Sequence, residues 1–198
     1  MNKDKEFFDS CAENWDKIRD TNPSKLQKLV AMIKLQQGDT VLDVGTGTGV
    51  LLPYLLQDIG VNGHITAVDF SEKMLEQAIR KHKHNTCISF MTADILSAQL
   101  KAKEYDAITC LNFYPHLHNH KKDFLLKMLS LLKNGGTLNI FHDISREQVN
   151  NIHSESKEVK EHKLQPATEA GLLLKNIGYE LITAYEDDTM YFVQGRKR

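Results

Sequence analysis

Val41–Val50 reads VLDVGTGTGV. Val41, Leu42 and Val44 are apolar, and this short run marks the end of a buried strand. Gly45, Gly47 and Gly49 then alternate with Thr46 and Thr48, and an apolar run follows from Val50. The order predicts a strand, a glycine-rich turn and the start of a helix. Glycine lets backbone approach a ligand closely, and a helix N-terminus offers unpaired N–H groups. A nucleotide-like ligand at the carboxyl end of the strand is the expectation. Asp43 narrows it. Dinucleotide sites use G-x-G-x-x-G and face a pyrophosphate. Here the spacing is D-x-G-x-G-x-G, and a carboxylate at the mouth of the loop repels a pyrophosphate but attracts an ammonium group. No Gly-Lys-Ser/Thr follows, which excludes a P-loop.

Working outward, His64–Phe70 (HITAVDF) reads as a second short strand ending in Asp69. Asp69 lies 20 residues beyond Gly49, where an acidic residue binds ribose hydroxyls. One carboxylate accepts from both vicinal hydroxyls of a sugar. Ser71 is an expected N-cap, with Met74, Leu75, Ala78 and Ile79 on one helix face. Ile88–Met91 reads as a third strand, and Asp94-Ile95 follows it. Strand, acid, strand, acid in this order suits an adenosine moiety. The plain alternative is that Asp69 and Asp94 cap the turns that follow them.

These motifs resemble those of the class I S-adenosylmethionine-dependent methyltransferases. VLDVGTGTG is similar to the family's first motif, AVDFS to its second and TADIL to its third. YDAITCLNFYPHL (Tyr105–Leu117) resembles the fourth-strand motif, and LLKNGGTLNIF (Leu131–Phe141) the helix–turn–strand after it. The resemblance runs motif by motif over roughly residues 35–145 and more loosely to the C-terminus. It implies that Asp43 and the loop Gly45, Thr46, Gly47 and Gly49 hold the methionine end of S-adenosylmethionine. It places Asp69 on the ribose, Phe70 and Met74 near the adenine, and Asp94 and Ile95 at the adenine edge. Asn112, just after the fourth strand, is implied to border the methyl group. Phe7–Ile18 (FFDSCAENWDKI) resembles the family's N-terminal lid, with Trp15 either in the lid or packed on the core.

Composition bounds the rest. The chain has 198 residues, 41% of them hydrophobic, which suits one domain with a substantial core. The division expected is a single domain over 1–198, with a helical lid over 1–37 and a substrate-side insert over 143–165. A net charge of −1 supplies no global attraction to nucleic acid or an anionic membrane. No apolar run of bilayer length occurs, and MNKDKEFFDS lacks the apolar centre of a signal peptide. A cytoplasmic monomer or homodimer with a small-molecule substrate is the expectation. Cys11, Cys87 and Cys110 are odd in number and far apart, which suggests neither disulfides nor a zinc cluster.

Alternating strands and helices predict an α/β fold: a Rossmann-like, doubly wound, seven-stranded and mostly parallel sheet. Strands are expected near 40–45, 64–69, 87–91, 105–111 and 136–142, and helices near 49–59, 71–83, 119–133 and 166–177. Gly135-Gly136 reads as the stop signal of the third of these helices. Tyr179–Tyr185 and Met190–Gly195 are joined by four residues, too few for a crossover, so they should form an antiparallel hairpin.

Histidine is the departure from an ordinary member of the family. His116, His118 and His120 alternate, His142 ends the fifth strand, and His153 lies 11 residues later. Ser145 and Gln148 resemble a capping box, so a helix over about 146–154 should carry Asn150 and His153 on one face. His116, His142 and His153 are therefore expected to meet over the cofactor methyl group. A general base, a metal site that includes Asp143, and plain polar lining all remain open for them. His118 and His120, beside Lys121-Lys122, are expected at an exposed helix start, and Ser154–Lys163 as a solvated Glu/Lys run. The function expected is methyl transfer to a small-molecule acceptor. Two rivals stand beside it. One is a metal-assisted transfer to a thiol, metalloid or metal-containing cofactor through His116, His142 and His153. The other is a non-catalytic binder of the same cofactor.

Overall fold

The structure is a computed structural model that describes residues 3–19, 21–155 and 159–198. The described residues form a seven-stranded sheet in the order β3-β2-β1-β4-β5-β7-β6. The strands are β1 Thr40–Val44, β2 His64–Asp69, β3 Ile88–Thr92, β4 Tyr105–Leu111, β5 Leu132–His142, β6 Glu180–Glu186 and β7 Tyr191–Arg196. Strands β1 to β5 run parallel, and β7 is antiparallel to both β5 and β6, as the short connection before it requires. The chain order reverses between β1 and β4. Ligand crevices open beyond the carboxyl ends of strands at such a point.

Helices cover both faces: α1 Lys3–Cys11, α2 Trp15–Ile18, α3 Pro23–Ile33, α4 Leu52–Ile59, α5 Glu72–His82, α6 Lys121–Leu131, α7 Arg146–Glu155 and α8 Ala167–Ile177. The pleat explains the two layers. Leu42 and Val44 of β1, Leu138 and Ile140 of β5, and Tyr191 and Val193 of β7 join α6 and α8 in one core. Residues of the opposite parity, Val41, Phe141 and Phe192, join α3 and α4 in the other. Each inner strand is apolar on both faces, so each register is set twice.

Two boundaries differ from expectation. Helix α4 starts at Leu52, not near 49, because Gly49 sits at φ +80 and the loop runs on to Leu51. Helix α6 ends at Leu131, and Leu132 is already extended, fully buried and paired with Tyr105. Gly135-Gly136 therefore ends no helix. These glycines lie in an irregularity of β5 where the pairing with β4 shifts register. Gly135 takes φ +83, its N–H donates to the Lys197 carbonyl at 2.8 Å, and Lys197 N–H returns to Gly136 at 2.9 Å. Burial of Leu132 pulls the chain into the sheet before the glycines are reached. The Ser145–Gln148 capping box is present, with both reciprocal bonds at 3.1 and 3.2 Å, and α7 follows it.

Candidate functional site

A cavity of about 500 Å³ opens where the sheet order reverses. Its walls come from α1 and α2, the glycine loop, the ends of β2, β4 and β5, and α7.

Asp43 ends β1 at 2% exposure, and its Oδ1 accepts from the Thr109 hydroxyl on β4 at 2.7 Å. Burial pushes Asp43 up to about 6, against the pull of the Thr46 and Thr109 hydroxyls. Its Oδ2 and the Thr46 Oγ1 are buried without a hydrogen-bond partner of ordinary geometry. Both residues line the cavity. Asp69 ends β2 and accepts from Gly47 N–H at 2.8 Å and Ser71 N–H at 2.9 Å. Burial raises Asp69 to about 6 as well, with Asp43 and Asp9 adding repulsion. Two carboxylates are thus held buried where their charge is costly.

The loop between them is built for close approach. Gly45 and Thr46 N–H groups both donate to the Val68 carbonyl, at 2.9 and 3.1 Å. Gly47 sits at φ +55, and a Cβ there would meet nothing within 4 Å. Gly47 is among the residues that line the cavity. Gly45 at φ +68 packs so closely on Phe113 that a Cβ would stand 2.5 Å from its ring. Gly49 does not line the cavity; its Cα faces Leu52, Ala78 and His82, and His82 Nε2 donates to its carbonyl at 3.2 Å.

Phe70, Met74 and Asn112 do line the cavity. Asn112 holds φ +55 just after β4, and its amide donates to Asp143 Oδ1 at 2.8 Å. Asp94 and Ile95 are not among the lining residues. Asp94 is exposed and caps its own turn by accepting from Leu96 N–H at 2.9 Å, while Ile95 is packed into the core with Val44 and Val68. The plain alternative for Asp94 is the geometry observed.

The histidine wall is larger than expected. His116, His142 and His153 all line the cavity, together with the glycine loop. The rings of His116 and His153 lie 5.1 Å apart. His142 is 1% exposed, neither ring nitrogen has a partner, and burial with the nearby Arg19 charge lowers it to about 3. His153 Nδ1 bonds to the His162 carbonyl. A carbonyl only accepts, so that nitrogen carries the proton and the neutral ring keeps Nε2 bare. Burial drives His116 well below its ordinary value, helped by repulsion from His153 and His162.

Sequence reasoning missed four participants. His162 is 2% exposed, although it lies in the run read as solvated, and its Nδ1 shares a 2.7 Å hydrogen bond with His116 Nδ1. Val159 in the same run is also buried and lines the cavity; Ser156, Lys157 and Glu158 lie outside the described residues. His118 is not simply an exposed helix start: its Nε2 stands 3.3 Å from Asp4 Oδ2, and its ring packs on His162. His120, exposed and paired with Asp123, matches the expectation. Arg19 donates to the buried Asp143 at 2.8 Å. Nothing local in the sequence marks these contacts, because each joins segments over 40 residues apart.

The N-terminal segment roofs the cavity. Phe8 lies edge-on to Trp15, Phe70 and His116 at 5.2–5.8 Å, so Trp15 belongs to the roof. Polar ties hold the roof down. Ser71 Oγ donates to Asp9 at 2.6 Å, Thr48 Oγ1 donates to Asp16 at 2.6 Å, and Lys81 pairs with Asp16.

Residues 41–136 match the family model described as a methyltransferase domain. The malonyl-[acyl-carrier protein] O-methyltransferase of a Marinomonas species is 34% identical over 103 residues, covering 51% of this chain and 37% of that protein. A demethylmenaquinone methyltransferase of Porphyromonas gingivalis is 33% identical over 123 residues, covering 61% of this chain and 49% of the relative. The chain spans about half the length of the curated relatives it matches. Among solved structures, a SAM-dependent methyltransferase from Aquifex aeolicus superposes with a TM-score of 0.75 at 24% identity, covering 94% of this chain and 97% of that one; this likeness shows the fold. Motif order, matched domain and sheet topology agree: residues 41–136 carry a methyltransferase domain, on the fold of the class I S-adenosylmethionine-dependent methyltransferases.

Proposed function

We propose that this chain binds S-adenosylmethionine between Asp43, the glycine loop and Asp69, and transfers its methyl group to a small acceptor held against His116, His142 and His153. One observation carries the proposal: a single cavity is lined both by two costly buried carboxylates and by buried histidines whose charging is disfavoured. The residues fit the cofactor. Asp43 Oδ2 and Thr46 Oγ1, which lack a hydrogen-bond partner of ordinary geometry among the described residues, suit the ammonium and carboxylate of a methionine moiety. Asp69 uses one bond on each oxygen for Gly47 and Ser71, which leaves acceptor capacity for ribose hydroxyls. When bound, S-adenosylmethionine supplies an electrophilic methyl group.

The chain's own residues do the rest. The aromatic roof of Phe8, Trp15 and Phe70 excludes water. His153 takes the acceptor's proton at Nε2, with Nδ1 pinned on the His162 carbonyl so that the tautomer is set. His142, lowered to about 3, accepts a hydrogen bond but holds a proton poorly at neutral pH, so it orients the acceptor. His116 lines the same face. Phe113, Ile144, Val149 and Ile152 line the cavity too, which favours an acceptor with an apolar body. The curated relatives named for quinone and acyl-carrier substrates point the same way. The test is calorimetric titration with S-adenosylmethionine and S-adenosylhomocysteine, followed by labelled-methyl transfer into fractionated cell extract. Binding together with a labelled small-molecule product is the expected result. Failure to bind either compound at millimolar concentration overturns the proposal; binding without transfer to any fraction supports a non-catalytic binder instead.

A further inference from the structure

Behind the histidine wall lies a second cluster that the cavity does not include. Asp4 of α1, His118 between β4 and α6, and His162 after α7 each place one ligating atom within 4.8 Å of the other two. His118 Nε2 stands 3.3 Å from Asp4 Oδ2, and His162 Nε2 stands 3.8 Å from Asp4 Oδ1. We propose that Asp4, His118 and His162 form a binding site for one divalent transition-metal ion of the zinc class, a clasp joining the N-terminal roof to the body of the domain.

Three observations support it. The first is spacing. Ligands at zinc–nitrogen and zinc–oxygen distances of about 2.0–2.1 Å stand about 3.3 Å apart on a tetrahedron. The two measured separations, 3.3 and 3.8 Å, lie at or slightly above that value. The longer one is an ion-pair distance, beyond hydrogen-bonding reach. The second is the surrounding support. The other nitrogen of His162, Nδ1, is held by His116 Nδ1 at 2.7 Å, and the His162 carbonyl is held by His153. Metal-bound imidazoles ordinarily have their second nitrogen fixed in this way. The third is backbone geometry. His118 sits at φ +47, ψ −121 inside the segment Tyr114–His120, a conformation unfavourable for a non-glycine residue. That conformation goes with a ring packed edge-on against His162 at 3.8 Å.

Two imidazoles and one carboxylate suit zinc and its neighbours, not magnesium or calcium, which take oxygen ligands. Three protein ligands leave a fourth position for water or another ligand. The site differs from a metal centre at His116, His142 and His153, because those residues line the cavity while Asp4, His118 and His162 do not. It also stands apart from the methyl-transfer proposal, since its test reads metal alone. With His162 Nε2 on the ion, its Nδ1–H donates to His116, which sets the His116 tautomer from behind the wall.

The experiment is titration of chelator-stripped full-length protein with Zn²⁺, followed by calorimetry and X-ray absorption at the zinc edge. His118→Ala and Asp4→Asn serve as variants, since both positions are less buried than His162. The expected result is one equivalent bound with two imidazoles in the first coordination shell. Affinity should fall at least tenfold in each variant, with unchanged circular dichroism. Uptake below about one-tenth equivalent in the wild type overturns the site. Uptake of wild-type affinity in either variant overturns this ligand set.

Discussion

Replacing Asp43 by Asn should stabilise the ligand-free protein while impairing its site. Asp43 is 2% exposed, and burial holds its carboxyl at about 6 instead of 3.8. The folded state therefore binds this proton more tightly than the unfolded chain does. The charged form is the penalised one, and the penalty is complete above about 6 and gone below 3.8. At pH 8 the difference is worth about 3 kcal/mol, and at pH 5 roughly half of that. Asparagine keeps an acceptor for the Thr109 hydroxyl, which now serves Asp43 Oδ1 at 2.7 Å, and carries no charge. It also removes the repulsion that Asp43 exerts on Asp69. Urea unfolding of the ligand-free proteins at pH 8 and pH 5 is the assay. The variant should gain about 2–3 kcal/mol at pH 8, and the gain should shrink by about half at pH 5. A variant no more stable than the wild type at pH 8, or a gain that is the same at both values, would refute the argument. In the first case Asp43 is charged without penalty; in the second the effect is not its titration.

Other expectations follow from the same contacts. Asp69→Ala should weaken S-adenosylmethionine binding by more than ~1 kcal/mol in calorimetry, as loss of a charged acceptor does. His153→Ala should lower kcat by about a hundredfold or more. Its cofactor affinity should be nearly unchanged; if affinity collapses, the residue serves the cofactor and not the acceptor. Arg19→Ala leaves the buried Asp143 with Asn112 alone and should cost about 2 kcal/mol in urea denaturation. Gly45→Ala puts a methyl group 2.5 Å from the Phe113 ring at a left-handed φ, and should cost about 1–3 kcal/mol in thermal unfolding.

Much of the site was legible before any coordinates. Asp43, the glycine loop and Asp69 announce themselves because their roles depend on local backbone: a strand end, a tight turn and the next strand end. The resemblance to the family rests on the same local segments. Elsewhere, local signals were outweighed. Gly135-Gly136 looks like a helix stop, yet the burial of Leu132 against Tyr105 ends the helix earlier. The Glu/Lys run has the composition of a solvated helix, yet Val159 and His162 within it are buried.

By itself the sequence determined the alternating α/β order, the hairpin of the last two strands and the glycine loop that lines the cavity. These follow from periodicity, connection length and glycine conformations, which act over a few residues. Tertiary structure decided the acceptor side. Asp4, Arg19, His116, His118, His142, Asp143, His153 and His162 come from six separate stretches of chain, and their contacts exist only once the fold brings those stretches together. Their protonation follows as well, because burial, which no single segment encodes, holds His116 and His142 neutral and makes Asp43 and Asp69 costly to charge.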